Sequence, residues 1–285
     1  MLSLALALAL YVGVAFALHD SIAKISRIDL PPESITAGTL VWGLAMLALA
    51  IPLLGAQLPS ARAIVFYLLA GVLNFAVGRS LLYVAIRRLG SSGGSILSST
   101  SAVFGVVAGW SLAGEELRAS VVAGSLLIFA ASYLASGGLE KLDPLGLLAG
   151  LGNGAGIAMG VALARLGNIS GGNPVGGVII AYIAGALSSA LATAARGSGG
   201  SALRESFGSP PVALMGLLAA SGQLSRYLAL ESLEASVVAP LQNTRPLIAT
   251  MLLAAFGYRA VRPSARHWIA SLMVLAGVYL VASGA

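Results

Sequence analysis

Apolar and polar positions alternate along this chain in long blocks. Counting windows of about 20 mostly apolar residues, the length that crosses a bilayer as a helix, predicts ten spans: 2–24, 34–54, 62–86, 92–113, 118–137, 144–165, 175–195, 211–230, 235–257 and 265–283. The polar stretches between them are short. The longest, Arg196–Pro211, is rich in Gly and Ser and reads as a flexible connection. None can hold a folded soluble domain, so any chemistry happens within the membrane. The first run, LSLALALALYVGVAFAL, has the length of a signal peptide but no basic residue ahead of it, and it is long enough to span. It reads as the first transmembrane helix.

The blocks repeat. Gly78–Ser92 aligns with Gly222–Ser236, with Gly78/Gly222, Tyr83/Tyr227, Ala85/Ala229, Leu89/Leu233 and Ser92/Ser236 coinciding. Leu97/Leu241, Thr100/Thr244 and Arg118/Arg262 continue the register. Ser125–Leu134 then matches Ser271–Leu280, and Gly13/Gly154 and Ala17/Ala158 match more weakly. The expected organisation is two five-helix units, residues 1–138 and 139–285. Five is odd, so the second unit enters the membrane the opposite way round. Inverted repeats of this kind place a transporter's site near the midplane between them.

Composition sharpens the class. The chain is 58% hydrophobic and 9% charged, against about 25% charged in soluble domains, and its mean hydropathy is +0.94. Its 36 glycines suit close helix contacts. No cysteine is present, which excludes disulfides and thiolate chemistry. Two histidines, His19 and His267, are too few for a His-rich metal site, so no metal or other cofactor is expected. The net charge of +6 rests on arginines, mostly in loops. It reads as membrane topology and not as nucleic-acid binding. Ten Lys/Arg lie in loops after odd-numbered spans and three on the other side, which places both termini outside.

Charged residues inside spans are functional hypotheses by default. Arg245 lies about mid-depth in its span, Arg79 in the interior half of the third, and Arg226 about a turn from the end of the eighth. Gln223, Arg226 and Tyr227 share one helix face by their spacing, and Tyr83 lies one turn beyond Arg79. Guanidinium groups bind carboxylate or phosphate by their fork geometry. The alternative is that these arginines pair with Asp20 or Glu231, cap carbonyls, or reach the interface. His19 and Asp20, towards the far end of the first span, are candidates for proton coupling, or else an interfacial cluster with Lys24. Asn74, Asn153 and Thr100, within the Ser98–Ser101 run, are uncharged candidates.

The stretch Pro240-Leu-Gln-Asn-Thr-Arg-Pro246 interrupts the ninth span. Each proline removes a helix hydrogen bond, and irregular backbone at this depth is tolerated where it lines a cavity or packs on protein. Gln242 and Arg245 share a face and are the expected cavity pair. Asn243 and Thr244 are candidates too, or else bond a neighbouring helix or the freed carbonyls. The row Gly152, Gly156, Gly160 reads as a packing ridge; it lacks the Lys of a phosphate loop. Gly90-Ser-Ser-Gly-Gly94 matches G-x-S-x-G, the serine-hydrolase signature. An intramembrane enzyme would need a His beside Ser92, and the glycines read better as a turn.

The segment Ala229–Gln242, then Pro246, then Gly277-Val-Tyr-Leu, and Gly114-Glu115-Glu116-Leu117 in the first half, resemble the EamA domain of the drug/metabolite transporter superfamily. The resemblance runs over nearly the whole chain as two tandem domains. It implies an all-α, ten-helix carrier in the cell membrane with a central cavity, usually exporting small metabolites such as amino acids, with proton exchange as the coupling and with both termini in the cytoplasm, the reverse of what the charge count gives. Two departures stand out: Ala102 where the second half has Pro246, and Gly257-Tyr-Arg where the family has Gly-Glu. The expected partners are a small-molecule substrate, lipid and coupled protons, with the protein a monomer or homodimer. The expectation is alternating access around a cavity lined by spans one, three, four, six, eight and nine, with a small organic anion as cargo. The readings from other classes are a non-transporting scaffold and a serine-protease-like enzyme.

Overall fold

A computed structural model describes residues 2–26, 28–139, 142–195, 199–256 and 264–285. Among these the chain is helical throughout, with no strand. The helices are α1 (Leu2–Ser26), α2 (Pro32–Leu54), α3 (Ala61–Gly71), a π-helical turn (Val72–Gly78), α4 (Arg79–Ser98), α5 (Ser101–Ala113), α6 (Ala119–Ser136), α7 (Pro144–Ile169), α8 (Pro174–Ala195), α9 (Gly199–Gly208), α10 (Pro210–Ser232), α11 (Ala235–Gln242), α12 (Arg245–Ala255) and α13 (Ala265–Ser283). Eight helical stretches among the described residues are long and apolar enough to cross a membrane. The other two expected windows are occupied by α10, which carries Gln223, Ser225 and Arg226, and by α11 and α12, each too short alone.

The turn expected at Gly90–Gly94 is a sharp break at Gly90 alone. Its φ of 82° and ψ of 170° are open to glycine and strained for other residues. The expectation of a flexible connection at Arg196–Pro211 needs correction. From Gly199 it forms α9, which docks on α2: Ser206 Oγ donates to the Ser34 carbonyl at 2.7 Å, and Trp42 Nε1 donates to the Phe207 carbonyl at 3.0 Å. A buried Ala202 and Ser206 turn a Gly/Ser-rich segment into a packed element. Arg27, Lys141, Arg196, Arg259, Arg262 and the Gly257-Tyr-Arg departure lie outside the described residues.

Helix contacts fall into matching sets. α1 lies along α10 and against α11 and α12; α7 lies along α3, the π-turn and α4, and against α5. α2 packs on α8, α5 on α11, and α6 on α13. Glycine makes the closest of these contacts. A Cβ on Gly124 would sit 2.6 Å from the Gly277 carbonyl, and one on Gly277 would sit 2.9 Å from the Gly124 carbonyl. The Gly156–Gly160 ridge packs on the π-turn, at Leu73 and Asn74.

Two helix breaks face the centre. α4 gives way to α5 at Ser99–Thr100, and α11 to α12 at Asn243–Thr244. At each, the threonine hydroxyl donates to the carbonyl three residues back: Thr100 to Leu97 at 2.5 Å, Thr244 to Leu241 at 3.0 Å. Each hydroxyl presses on a glycine of another helix, Gly154 of α7 and Gly13 of α1 respectively. Glu115, just past the end of α5, accepts from the backbone N–H of Ala235 at 2.7 Å and of Ser236 at 2.9 Å. That carboxylate satisfies orphan donors at the start of α11 and complements its helix dipole. The Gly-Glu pair of the first half is therefore a helix cap. Arg118 secures the same junction through Glu234 at 3.1 Å and the Gly284 carbonyl.

Candidate functional site

A cavity of about 360 Å³ opens between the breaks. α1 contributes Phe16, His19 and Asp20; the π-turn Asn74 and Phe75; α4 Arg79, Tyr83 and Ser98. Ser101 comes from α5, Asn153 from α7, Gln223 and Arg226 from α10, and Gln242, Asn243 and Arg245 from the second break. All six spans expected to line a cavity do so, and α2 adds Ile35. The π-turn has a local role here: such turns re-aim side chains, and this one carries Asn74 and Phe75 into the wall.

Three sequence candidates lie elsewhere. Thr100 and Thr244 bond their own helices and fill the glycine notches, because a hydroxyl at a helix break finds a free carbonyl closer than any ligand. Tyr227 points to the other side of α10, where its ring packs 5.8 Å from that of Tyr67 in the apolar core. Asn243 does both things expected of it: it lines the cavity, while its Nδ2 donates to the Ala239 carbonyl at 2.7 Å and lies 3.1 Å from Ser101 Oγ.

The charges are arranged around α1. His19 Nδ1 is 3.0 Å from Asp20 Oδ1, and Arg245 Nε is 3.6 Å from Asp20 Oδ2. The His19–Asp20 pair thus belongs to the cavity wall. Arg245, the first choice from sequence, has its counter-ion. Arg226 does not. It is 6% exposed, and no carboxylate pairs with it among the described residues. Its Nε lacks any hydrogen-bond partner. Both guanidiniums stand over the Phe16 ring, at 5.6 Å for Arg226 and 5.8 Å for Arg245. Such contacts stabilise by about 0.5–2 kcal/mol. Arg79 stands 5.9 Å over Phe75 and donates to Thr36 Oγ1 at 3.4 Å.

Unsatisfied polar atoms concentrate here. Among the described residues, buried side-chain atoms with no partner occur on cavity-lining residues at His19 Nε2, Asn153 Oδ1, Gln223 Oε1, Arg226 Nε and both amide atoms of Gln242, and elsewhere at Ser34 Oγ and Tyr182 Oη. Each such group costs about 1–3 kcal/mol unless water or a ligand meets it. Phe16 and Phe75 were not singled out from the sequence. The signal was available: Phe16 precedes His19 and Asp20 by three and four residues, and Phe75 precedes Arg79 by four, so each shares a face with a charged residue.

The G-x-S-x-G match has no hydrolase geometry around it. Ser92 Oγ donates to the Ser136 carbonyl at 2.7 Å, while His19 bonds Asp20 and His267 bonds Ser264. Among the described residues no group of three or more His, Asp or Glu is placed to hold a metal ion.

The EamA-like transporter family matches residues 3–137. No curated protein matches the chain. A crystal structure of another protein superposes with a TM-score of 0.80 at 18% identity, covering 99% of this chain and 98% of that one. At that identity the likeness shows a shared fold from end to end. Residues 3–137 of this multi-span helical membrane protein thus match the EamA-like transporter family, which belongs to the drug/metabolite transporter superfamily.

Proposed function

We propose that the protein is a secondary-active carrier that moves a small organic anion across the cell membrane by alternating access. The observation that carries this reading is Arg226: a buried guanidinium, without a carboxylate partner among the described residues, in the wall of a cavity large enough for a metabolite. A buried, uncompensated cation is costly, and an incoming carboxylate offsets that cost with charge-assisted hydrogen bonds. The matched contact sets support ten spans in two inverted five-helix units, because α1 meets α10 and the second break as α7 meets α4 and the first. Rocking of one unit against the other then exposes the site to either side in turn. Asp20, held between His19 and Arg245, is the candidate for proton coupling, with export as the direction.

Counterflow in proteoliposomes tests this. Wild-type protein preloaded with a carboxylate mixture is expected to accumulate labelled carboxylate, and Arg226→Gln to weaken apparent affinity about tenfold or more, the loss of one charge-assisted interaction. Absence of flux for every carboxylate in folded wild-type protein, or unchanged affinity in Arg226→Gln, overturns the proposal.

A further inference from the structure

The amide groups of the cavity say more about the cargo than its charge does. Asn153 is 1% exposed, and its Nδ2 donates to the Gly78 carbonyl at 2.8 Å. That bond fixes which way the amide points, since the flipped amide would set carbonyl against carbonyl. Its Oδ1 is left in the cavity wall without a donor. Gln223, 2% exposed, likewise has an unpartnered Oε1, and it lies three residues before Arg226 on α10, so the two share a face. An acceptor therefore stands beside the guanidinium that has no carboxylate among the described residues, and a second, of fixed orientation, stands on α7.

The group that meets these acceptors must donate. Its charge is set by the surroundings. Among the described residues the cavity is lined by Arg79, Arg226 and Arg245 against one carboxylate, Asp20, which His19 and Arg245 already engage. Glu33 lies apart from it, in a small adjoining pocket beside Arg79. An ammonium group would enter a cationic cavity with no carboxylate of its own to meet. A hydroxyl pays no such electrostatic penalty. Resting on the anion-carrier reading, we infer that the preferred cargo is a hydroxylated carboxylate, and that Asn153 is the residue that reads its hydroxyl. Buried groups built to bond a hydroxyl discriminate strongly against the analogue that lacks it.

The test compares matched skeletons as competitors of counterflow: propionate, lactate and alanine, then hexanoate, gluconate and norleucine. In at least one set the hydroxy acid is expected to compete about tenfold or more better than both the alkyl and the amino acid. Asn153→Leu is expected to bring the hydroxy-to-alkyl ratio close to one, whatever its absolute flux. Gln223→Met, which removes no existing hydrogen bond, should lower the same ratio and guards against an Asn153 variant that fails to fold. A wild type that favours the amino acid, or ignores the hydroxyl, overturns this inference while leaving the carrier standing. So does an unchanged ratio in a folded Asn153→Leu or in Gln223→Met. If no carboxylate competes at all, both readings fall.

Discussion

The two helix breaks share a backbone and differ in chemistry. Ser98, Thr100, Ser101 and Ala102 align in sequence with Gln242, Thr244, Arg245 and Pro246. Both breaks fall at the same aligned position, and both threonines cap the carbonyl three residues back against a glycine. In the first break each hydroxyl bonds its own chain locally: Ser99 bonds Ile96, Thr100 bonds Leu97, and Ser101 bonds Ser98 while also meeting Asn243 across the breaks. In the second, Gln242 leaves both amide atoms unpaired and Arg245 reaches Asp20 on α1. Small hydroxyls satisfy a broken helix locally, whereas longer side chains reach past it. The repeated residues hold the architecture, and the unrepeated ones supply the charge and the amides of the cavity.

The most disruptive way to break this comparison is to fill the glycine notches. A Cβ at Gly154 meets the Thr100 hydroxyl and also the backbone, 3.0 Å from the Leu97 carbonyl and 3.2 Å from the Ser101 nitrogen. At Gly13 the Thr244 hydroxyl is met too, but the nearest backbone atom of that break is 3.6 Å away. Gly154→Ala is therefore expected to destabilise by about 1–3 kcal/mol, and Gly13→Ala by less, measured by thermal unfolding in detergent. Thr244→Ala should relieve Gly13→Ala more fully than Thr100→Ala relieves Gly154→Ala, a double-mutant test of the shared notch. Equal costs and equal rescue would mean that the two notches do not differ as described.

Aligned side chains in the two breaks give the next contrast. Arg245→Ala removes a cavity cation and strands Asp20, so it is expected to weaken carboxylate affinity about tenfold or more, roughly 1.4 kcal/mol. Ser101→Ala, at the matching position, should change it by less than about threefold. Comparable losses at the two sites would show that the first break contributes to binding as much as the second. The smallest effect is expected at Pro246. It lies in the first turn of α12, where a proline costs little because its missing N–H has no helical acceptor. The first break forms with Ala102 in that place. Pro246→Ala should shift stability by less than about 1 kcal/mol; a large fall in Tm would show that the proline itself holds the second break open.

Much of the cavity wall was legible before folding. A charged or amide residue inside an apolar span has few places to go, so Asn74, Arg79, Asn153, Gln223, Arg226, Gln242 and Arg245 stand out from their neighbours and all line the cavity. Tyr83, His19, Asp20 and Asn243 do as well. The residues that misled are Thr100, Thr244 and Tyr227. Repetition along the sequence drew attention to them, yet at both breaks the threonine serves the local fold. The rank order of the arginines was also invisible. Depth along a helix singles out Arg245, whereas a counter-ion depends on which helix lies opposite, and α1 brings Asp20 to Arg245 and none to Arg226.

Sequence by itself determined the class of molecule. Apolar windows, the small number of charges and the internal repeat follow from local composition and spacing, and a bilayer leaves few folds open to such a chain. Helix α9 shows the limit: its Gly/Ser-rich stretch has weak local preferences, and docking on α2 orders it. Tertiary structure alone decided which polar groups are spoken for. Hydrogen bonds and ion pairs act over a few ångströms, between residues brought together from distant parts of the chain. Only once the helices are packed is Asp20 committed to Arg245, Asn153 held by Gly78, and Arg226 left, among the described residues, without a carboxylate.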